Sequence, residues 1–331
     1  MIEIGALVNP PTIIPTTTHL SLGNHWDHLM ARLAVDRGGH RVEPGLYALG
    51  NVSPESPVFV SANYSLSFDA LRSALQGMDG YILVLDTDGI NVWCAAGKGT
   101  FGTEELVRRI MATRLKEAVS HRKLILPQLG APGVAAHEVK KQSGFWVEYG
   151  PVRAADLPEY LKTRTATETM RKVQFTLANR LTLIPVEVAQ GFLPMLAAAI
   201  VLYFVGGWTA ALAAITAVLA GNVLFPILLP WIPTHNFSTK GFLVGVVAAL
   251  PFAVSVFVRH PDWNWWRQAG QALGYLLAMP AVTAFVALNF TGSSTFTSRS
   301  GVRREIFTYI PAMAWTFGIG ILFALVFAFV H

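Results

Sequence analysis

Five long apolar stretches occupy the second half of this 331-residue chain, at about 186–205, 209–231, 241–258, 269–290 and 306–330. Each approaches the roughly 20 helical residues that cross a bilayer. Lipid offers the backbone no hydrogen-bond partner, so such stretches fold as helices. The gaps between them hold Gly206-Gly207, Thr234-His235-Asn236, a loop from Arg259 to Arg267 and a polar loop from Thr291 to Glu305. A hydrophobic content of 53% and a mean hydropathy of +0.45 agree with a membrane domain. An all-α transmembrane domain of five helices is therefore expected over 186–331.

No ionisable residue lies in the middle of these stretches. Glu187 stands at an entrance, and Asn222 is polar but uncharged. Buried charge marks ion and proton paths, so its absence favours an anchor or docking platform over a pore. Gly241 with Gly245, and Gly270 with Gly274, have the spacing of close helix packing. Orientation follows the basic residues. Arg164, Arg171, Lys172, Arg180, Lys240, Arg299, Arg303 and Arg304 fall on one side, against Arg259 and Arg267 on the other. The expected arrangement is a multi-pass protein of the cytoplasmic membrane, with a cytosolic N-terminal part and an outward C-terminus. No basic-aromatic groove pattern points to nucleic acid, and the net charge of +5 is accounted for by residues beside the spans.

Residues 1–20 read as an N-terminal segment, 21–165 as an α/β domain, and 166–185 as an amphipathic linker built on Met170, Val173, Leu177 and Leu181. In the α/β domain, strands are expected at Val58–Val60, Tyr81–Leu85, Leu124–Leu126 and Phe145–Glu148. Helices are expected from Ser67 to Gln76, from Thr103 to Val119, near 134–141 and near 155–161. This alternation predicts a doubly wound, Rossmann-like sheet, whose ligands bind beyond the carboxyl ends of the strands. With one cysteine in the chain and no basic segment before an apolar core at the N-terminus, this domain is placed in a reducing, cytosolic compartment.

Cys94, that lone cysteine, lies in the sixteen residues between Asp86 and Thr103. Connections between strand and helix usually run about 2–6 residues, and long ones at a strand's carboxyl end carry function. The core Val92-Trp93-Cys94-Ala95-Ala96 suits a short helical cap ended by Gly97, its small alanines letting a flat ligand approach. Gly97-Lys98 suggests a P-loop, but Val92 and Gly99 break the pattern. His121 and His137 are the available bases for a nucleophilic thiol. His19, His25 and His28 have a spacing that could hold a metal. The cobalamin signature D-x-H-x-x-G is absent. Spacing alone leaves Cys94 as a nucleophile, a single soft metal ligand or an inert buried side chain.

The octapeptide Asn91-Val92-Trp93-Cys94-Ala95-Ala96-Gly97-Lys98 resembles the signature of the corrinoid protein of the anaerobic mercury-methylation pair. The likeness extends through Val84-Leu85-Asp86-Thr87, Gly99–Leu106, Arg41–Tyr47 and Ser61–Ser65. The resemblance implies a cobalamin-type corrinoid bound base-off, in a domain similar to that of the corrinoid iron–sulfur protein. It makes Cys94 the lower axial cobalt ligand and 91–98 the cap, with Trp93, Ala95 and Ala96 against the macrocycle. It further implies methyl transfer from methyl-cobalt(III) to Hg(II), a partner resembling a ferredoxin with two 4Fe–4S clusters, and a folate-linked methyl donor. Sheet geometry adds Ser61, Asn63, Thr87, Gln128, Gly130, Tyr149 and Gly150 as candidates for the corrin edge or displaced tail. Alternatives are a corrinoid protein of general one-carbon metabolism, with mercury incidental, and a membrane sensor or transporter for a small ligand.

Overall fold

The computed structural model describes residues 11–36, 38–294 and 298–329. Residues 1–10 of the expected N-terminal segment, 295–297 of the polar loop and residue 330 of the last apolar stretch lie outside the described residues. The chain divides into a sheet-bearing unit that runs to Gln174, apart from Arg32–Ala34, and a helical unit from Phe175 onward that includes Arg32–Ala34.

In the first unit the elements are β1 (Ile13–Thr16), α1 (Leu22–Arg32), β2 (Gly45–Leu49), β3 (Val58–Ala62), α2 (Ser65–Ala74), β4 (Gly80–Leu85) and α3 (Val92–Lys98). Then come α4 (Thr103–Ala112), α5 (Leu115–Ala118), β5 (Lys123–Leu126), α6 (Ala136–Ser143), β6 (Trp146–Tyr149), α7 (Leu157–Thr163) and α8 (Glu168–Arg171). Six strands form one sheet in the order β1-β2-β4-β3-β5-β6. All neighbours are parallel except β2 and β4, which pair antiparallel from Gly45↔Val84 to Leu49↔Gly80. The expected α/β sheet is present, mostly parallel, with β1 and β2 added to it. β1 falls within the expected separate segment 1–20.

The continuous apolar run of β4 follows from burial on both faces. Leu83 and Leu85 join Leu106, Ile110 and Phe145 on one side. Ile82 and Val84 join Phe68, Leu71 and Tyr160 on the other. Several expected boundaries shift. α2 starts at Ser65 rather than Ser67. The helix expected from Thr103 to Val119 breaks after Ala112, because Arg114 adopts a left-handed conformation with φ 52°. Met111, expected inward, is exposed, because α4 buries the face of Glu105, Leu106 and Ile110.

Helix α1 is held through its polar side. His28 Nε2 lies 2.8 Å from Asp69 Oδ2, and His40 Nδ1 lies 2.7 Å from Asp27 Oδ1. Arg72 binds Asp69 and donates to the carbonyls of Thr17 and His19.

In the second unit are α9 (Leu177–Leu181), α10 (Ile184–Leu219), α11 (Phe225–Leu228), α12 (Phe237–Arg259), α13 (Trp265–Asn289) and α14 (Arg299–Phe329). The expected single linker helix is instead two short ones, α8 and α9, capped separately by Thr167 and Thr176.

Four helical segments, rather than five, are long and apolar enough to cross a membrane: Leu177–Leu228, Phe237–Arg259, Trp265–Ser293 and Ser300–Ala328. The first contains both apolar stretches expected as separate spans. Its 52 residues would measure about 78 Å as a straight helix, far beyond a roughly 30 Å hydrocarbon core. The backbone breaks at Gly207, with φ 68° and ψ −165°, a conformation open to glycine. A Cβ on Gly191 would sit 2.7 Å from Asn222 Nδ2 and 3.6 Å from Val218 Cγ1. Segments on either side of Gly207 therefore lie against each other. Residues 220–224 form one π-helical turn, as expected where Pro226 leaves the carbonyl four residues back without its amide partner.

Small residues set the remaining helix contacts. A Cβ on Gly245 would lie 2.5 Å from Pro280 Cα, and one on Gly241 2.6 Å from Ala284 Cα. Gly274 faces Ala324, and Gly270 faces the Phe327 ring. Glu305 of α14 is buried and caps α12, accepting from the amides of Phe237 and Ser238, both at 3.1 Å, and from Ser238 Oγ at 3.0 Å. A carboxylate there meets both the orphan amides and the positive end of the helix dipole.

Candidate functional site

The long connection after β4 is held by one buried side chain. Asn63, at the carboxyl end of β3, is 1% exposed. Its Oδ1 accepts from Thr87 N at 3.0 Å, Thr87 Oγ1 at 2.8 Å and Gly89 N at 3.0 Å. Its Nδ2 donates to Asp86 Oδ1 at 3.2 Å. The Thr87 hydroxyl also lies 2.7 Å from the Ile90 carbonyl. Because β3 and β4 are parallel neighbours, a side chain just past one strand reaches the loop leaving the other. Glu105 grips the same loop from α4, accepting from Asp86 N at 2.8 Å. Arg108 and Arg109 bind that carboxylate in turn.

The loop thus delivers a fixed start to α3. Asn91 has extended backbone, and its Oδ1 accepts from Cys94 N at 3.0 Å, the geometry of an N-cap. The helix ends at Gly99, with φ 92°, rather than at the expected Gly97. Gly99 supplies the left-handed residue of a helix C-terminus, and Gly97 stays within the helix. Helical periodicity sorts the segment into two faces. Val92, Ala95 and Ala96 are buried. Trp93, Cys94, Gly97 and Lys98 are exposed. The two alanines, expected against a ligand, instead pack into the core. Their small size serves close approach to the protein: a Cβ on Gly133 would lie 3.0 Å from Ala96 Cα and 2.2 Å from the Phe101 carbonyl oxygen.

The outward face has a definite relief. Trp93, 39% exposed, and the Cys94 thiol stand at the first turn. Gly97 lies three residues beyond Cys94, the spacing of neighbours on one helix face. Beside α3, at the carboxyl ends of β3 and β5, is an apolar cavity of about 320 Å³ whose walls include Ser61, Val92, Trp93, Leu126, Leu129 and Pro151. Asn91 also reaches this cavity.

The other expected residues divide by role. Ser61 lines the cavity. Asn63 and Thr87 bind each other and build the loop. Gln128 Oε1 accepts from Arg171 Nη1 at 3.0 Å. Gly130 is packed by Phe101 and Gly150 by Ile125, where added Cβ atoms would stand 2.6 and 3.2 Å away. Tyr149 donates to the Val134 carbonyl at 2.6 Å, and burial pushes its phenol pKa up, keeping the donor protonated. Lys98 is exposed.

Two alternative chemistries lose their partners. His121 lies 2.9 Å from the Ser56 carbonyl and accepts from Lys123 N, while His137 pairs with Glu138. His28 is taken by Asp69. Among the described residues, no group of three His, Cys, Asp or Glu side chains could hold a metal ion. Glu105 and Gly133 escaped the sequence reading. Glu105 with Arg108 and Arg109 at helical spacings of three and four is a visible signal; Gly133 carries none, because its constraint comes from a distant segment.

Known proteins resemble this unit. The acetyl-CoA decarbonylase/synthase complex subunit gamma of Archaeoglobus fulgidus is 32% identical over 124 residues, covering 37% of this chain and 26% of the relative. Its counterpart from Methanothermobacter thermautotrophicus is 34% identical over 122 residues, 36% of this chain and 26% of the relative. The corrinoid/iron-sulfur protein large subunit of Moorella thermoacetica is 29% identical over 129 residues, 38% of this chain and 28% of the relative. The chain thus spans about a quarter of the length of these relatives. Residues 34–161, which hold β2 to β6 and the whole α3 face, match the family of the CO dehydrogenase/acetyl-CoA synthase delta subunit.

Proposed function

We propose that this chain is a membrane-anchored corrinoid protein that transfers methyl groups, with Cys94 as the lower axial ligand of cobalt and Hg(II) as methyl acceptor. The observation carrying this reading is the outward face of α3, where Cys94 is exposed together with Trp93 and Gly97. Similarity over 34–161 to corrinoid/iron-sulfur and acetyl-CoA synthase subunits supports the corrinoid. The octapeptide supports the cysteine ligand and mercury.

The residues fit such a group. A flat macrocycle needs a donor with only small side chains beside it, and glycine at position 97, three residues beyond Cys94, meets that need. A base-off corrinoid needs somewhere for its displaced tail, and the cavity walled by Ser61, Trp93 and Leu126 lies next to the cap. When bound, the corrinoid supplies the methyl-bearing cobalt, and thiolate ligation favours passing that methyl to a soft electrophile. Every other contribution comes from the chain. Asn91 and Asn63 position the thiol, while Trp93 excludes water from its side. Ala95 and Ala96 let α3 sit close on the core, and Lys98 is available to a corrin amide.

Reduction of cobalt would come from a ferredoxin-like partner with two 4Fe–4S clusters, and methyl groups from a folate-linked donor. In the membrane unit we read five passes, with Gly207 as the reversal between the first two, a cytosolic sheet-bearing unit and an outward C-terminus. Gly191 against Val218 and Asn222 supports the reversal. A second reading, methyl transfer in general one-carbon metabolism with mercury incidental, is favoured by the names of the relatives.

The test is the visible spectrum of the full chain loaded with corrinoid, for wild type and Cys94→Ala, together with Hg(II) methylation. Alanine should shift the cobalt(III) bands and abolish methylmercury formation. Identical spectra with retained activity would refute the ligand assignment. A shifted spectrum in a wild type that never methylates Hg(II) would leave the second reading standing.

A further inference from the structure

Arg180 is an unbalanced buried cation. It lies in α9, one turn before the apolar helix α10, and is 4% exposed. Among the described residues its side chain makes one hydrogen bond, from Nη1 to the Phe175 carbonyl at 2.8 Å. Its Nε is buried without a partner. No ion pair among the described residues includes it. Two acids of this unit have other partners: Glu187 accepts from Ser293 Oγ, and Glu305 caps α12.

The described residues around it are apolar. Phe175, whose carbonyl receives Nη1, packs against Phe290, and Phe290 packs against Phe225. The cluster continues through Leu183, Leu229 and Phe237. A buried charge is costly unless an opposite charge meets it. The unbonded edge, Nε with Nη2, is the planar fork that binds two oxygens of one oxyanion. Arg180 stands at the end of a candidate span, the depth at which basic pockets of membrane proteins meet lipid headgroups.

We propose that Arg180 is the receptor for a phosphate oxyanion, bound through its Nε–Nη2 edge at the start of the helical unit. The phosphate belongs either to a lipid headgroup or to a soluble phosphate, and the same guanidinium edge serves both. This site is independent of the corrinoid reading.

The test uses the full chain, stripped of lipid in neutral detergent. Native mass spectrometry would follow binding of phosphatidylglycerol and of phosphate-free galactosyl diacylglycerol. Thermal unfolding would be measured with and without inorganic phosphate. Wild type should bind phosphatidylglycerol about tenfold more tightly than Arg180→Gln does, the scale of one charge-assisted hydrogen-bonded pair. The galactolipid should not distinguish the two. Arg180→Lys, which keeps the charge and loses the fork, should fall between, and it keeps the test open if Arg180→Gln does not fold. Arg259→Gln, a change at a side chain bonded to Thr209, should match wild type. Stabilisation by inorganic phosphate that Arg180→Gln abolishes would assign a soluble ligand; phosphatidylglycerol selectivity without it would assign a headgroup. Equal affinity of wild type and both Arg180 variants for phosphatidylglycerol, with no Arg180-dependent response to phosphate, would overturn the proposal.

Discussion

Replacing Asn63 by alanine should loosen the segment that presents Cys94 while leaving the sheet intact. The side chain holds four hydrogen bonds, but they do not count equally. Thr87 Oγ1 already has the Ile90 carbonyl at 2.7 Å, so its hydroxyl keeps a partner. Asp86 Oδ1 still accepts from Asp88 N at 3.3 Å. What is lost is the acceptor for two amides, Thr87 N and Gly89 N. A buried donor left unsatisfied costs about 1–3 kcal/mol. Water entering the vacated space favours the lower end, giving about 2–4 kcal/mol for the pair. The assay is amide hydrogen exchange resolved to Thr87 and Gly89. Protection there should fall by about 30-fold or more, while the amides of β4 change little. Asn63→Asp keeps the Oδ1 acceptor but replaces the Nδ2 donor by a carboxylate oxygen set against Asp86, so its protection should recover as the pH is lowered. Wild-type protection of Thr87 and Gly89 in Asn63→Ala would refute the clamp, and with it the claim that β3 positions the cap.

Two further outcomes follow from the packing. Both ring nitrogens of His40 face acceptors, Asp27 Oδ1 and the Val35 carbonyl at 2.6 Å, which only the doubly protonated ring satisfies. Burial opposes that charge, yet the Asp27 and Val35 bonds prevail and raise the His40 pKa above its ordinary 6.5. Burial likewise opposes the Asp27 carboxylate, but Ser65 and His40 hold its pKa below 3.8. The His40 contribution to stability is thus full below about pH 6.5 and lost as the pH rises through its raised value; that of Asp27 is present above 3.8 and lost as the pH falls through its lowered value. Denaturant unfolding across pH should show both limbs, and His40→Gln should flatten the alkaline one. In the helical unit, Gly245→Ala should lower stability in detergent by about 1–3 kcal/mol, since its Cβ meets the Pro280 backbone, whereas Gly318→Ala, with nothing within 4 Å, should be neutral in thermal unfolding.

Much of the architecture is legible in local pattern. β4 reads directly from its apolar run, and the glycine pairs 241/245 and 270/274 announce helix contacts that the structure contains. The position of the cap after β4 reads from the length of its connection. β1 and β2 do not read, because Pro15 interrupts Ile13–Thr16 and Pro44-Gly45 opens Gly45–Leu49, and both are local signals of turns rather than strands. The break at Arg114 is equally hidden, since nothing local forbids the helix from continuing. Asn63 and Thr87 were both singled out as residues that would touch a ligand. Their side chains turn instead to each other, as the parallel pairing of β3 with β4 requires.

By itself the sequence determined where the apolar blocks lie, that one thiol is available, and that this thiol follows a central strand. These are properties of composition and short-range periodicity. Only the tertiary structure decided which face of Val92–Lys98 looks outward, because a seven-residue helix can be rotated until packing chooses. It turned Ala95 and Ala96 inward against Gly133 and left Cys94 beside Gly97 in solvent. It likewise decided that Asn63 and Glu105 hold the loop, that Gly207 turns the chain back, and that Arg180 is buried without a counter-charge among the described residues. Each depends on residues far apart in the chain brought within a few ångströms, which no local pattern encodes.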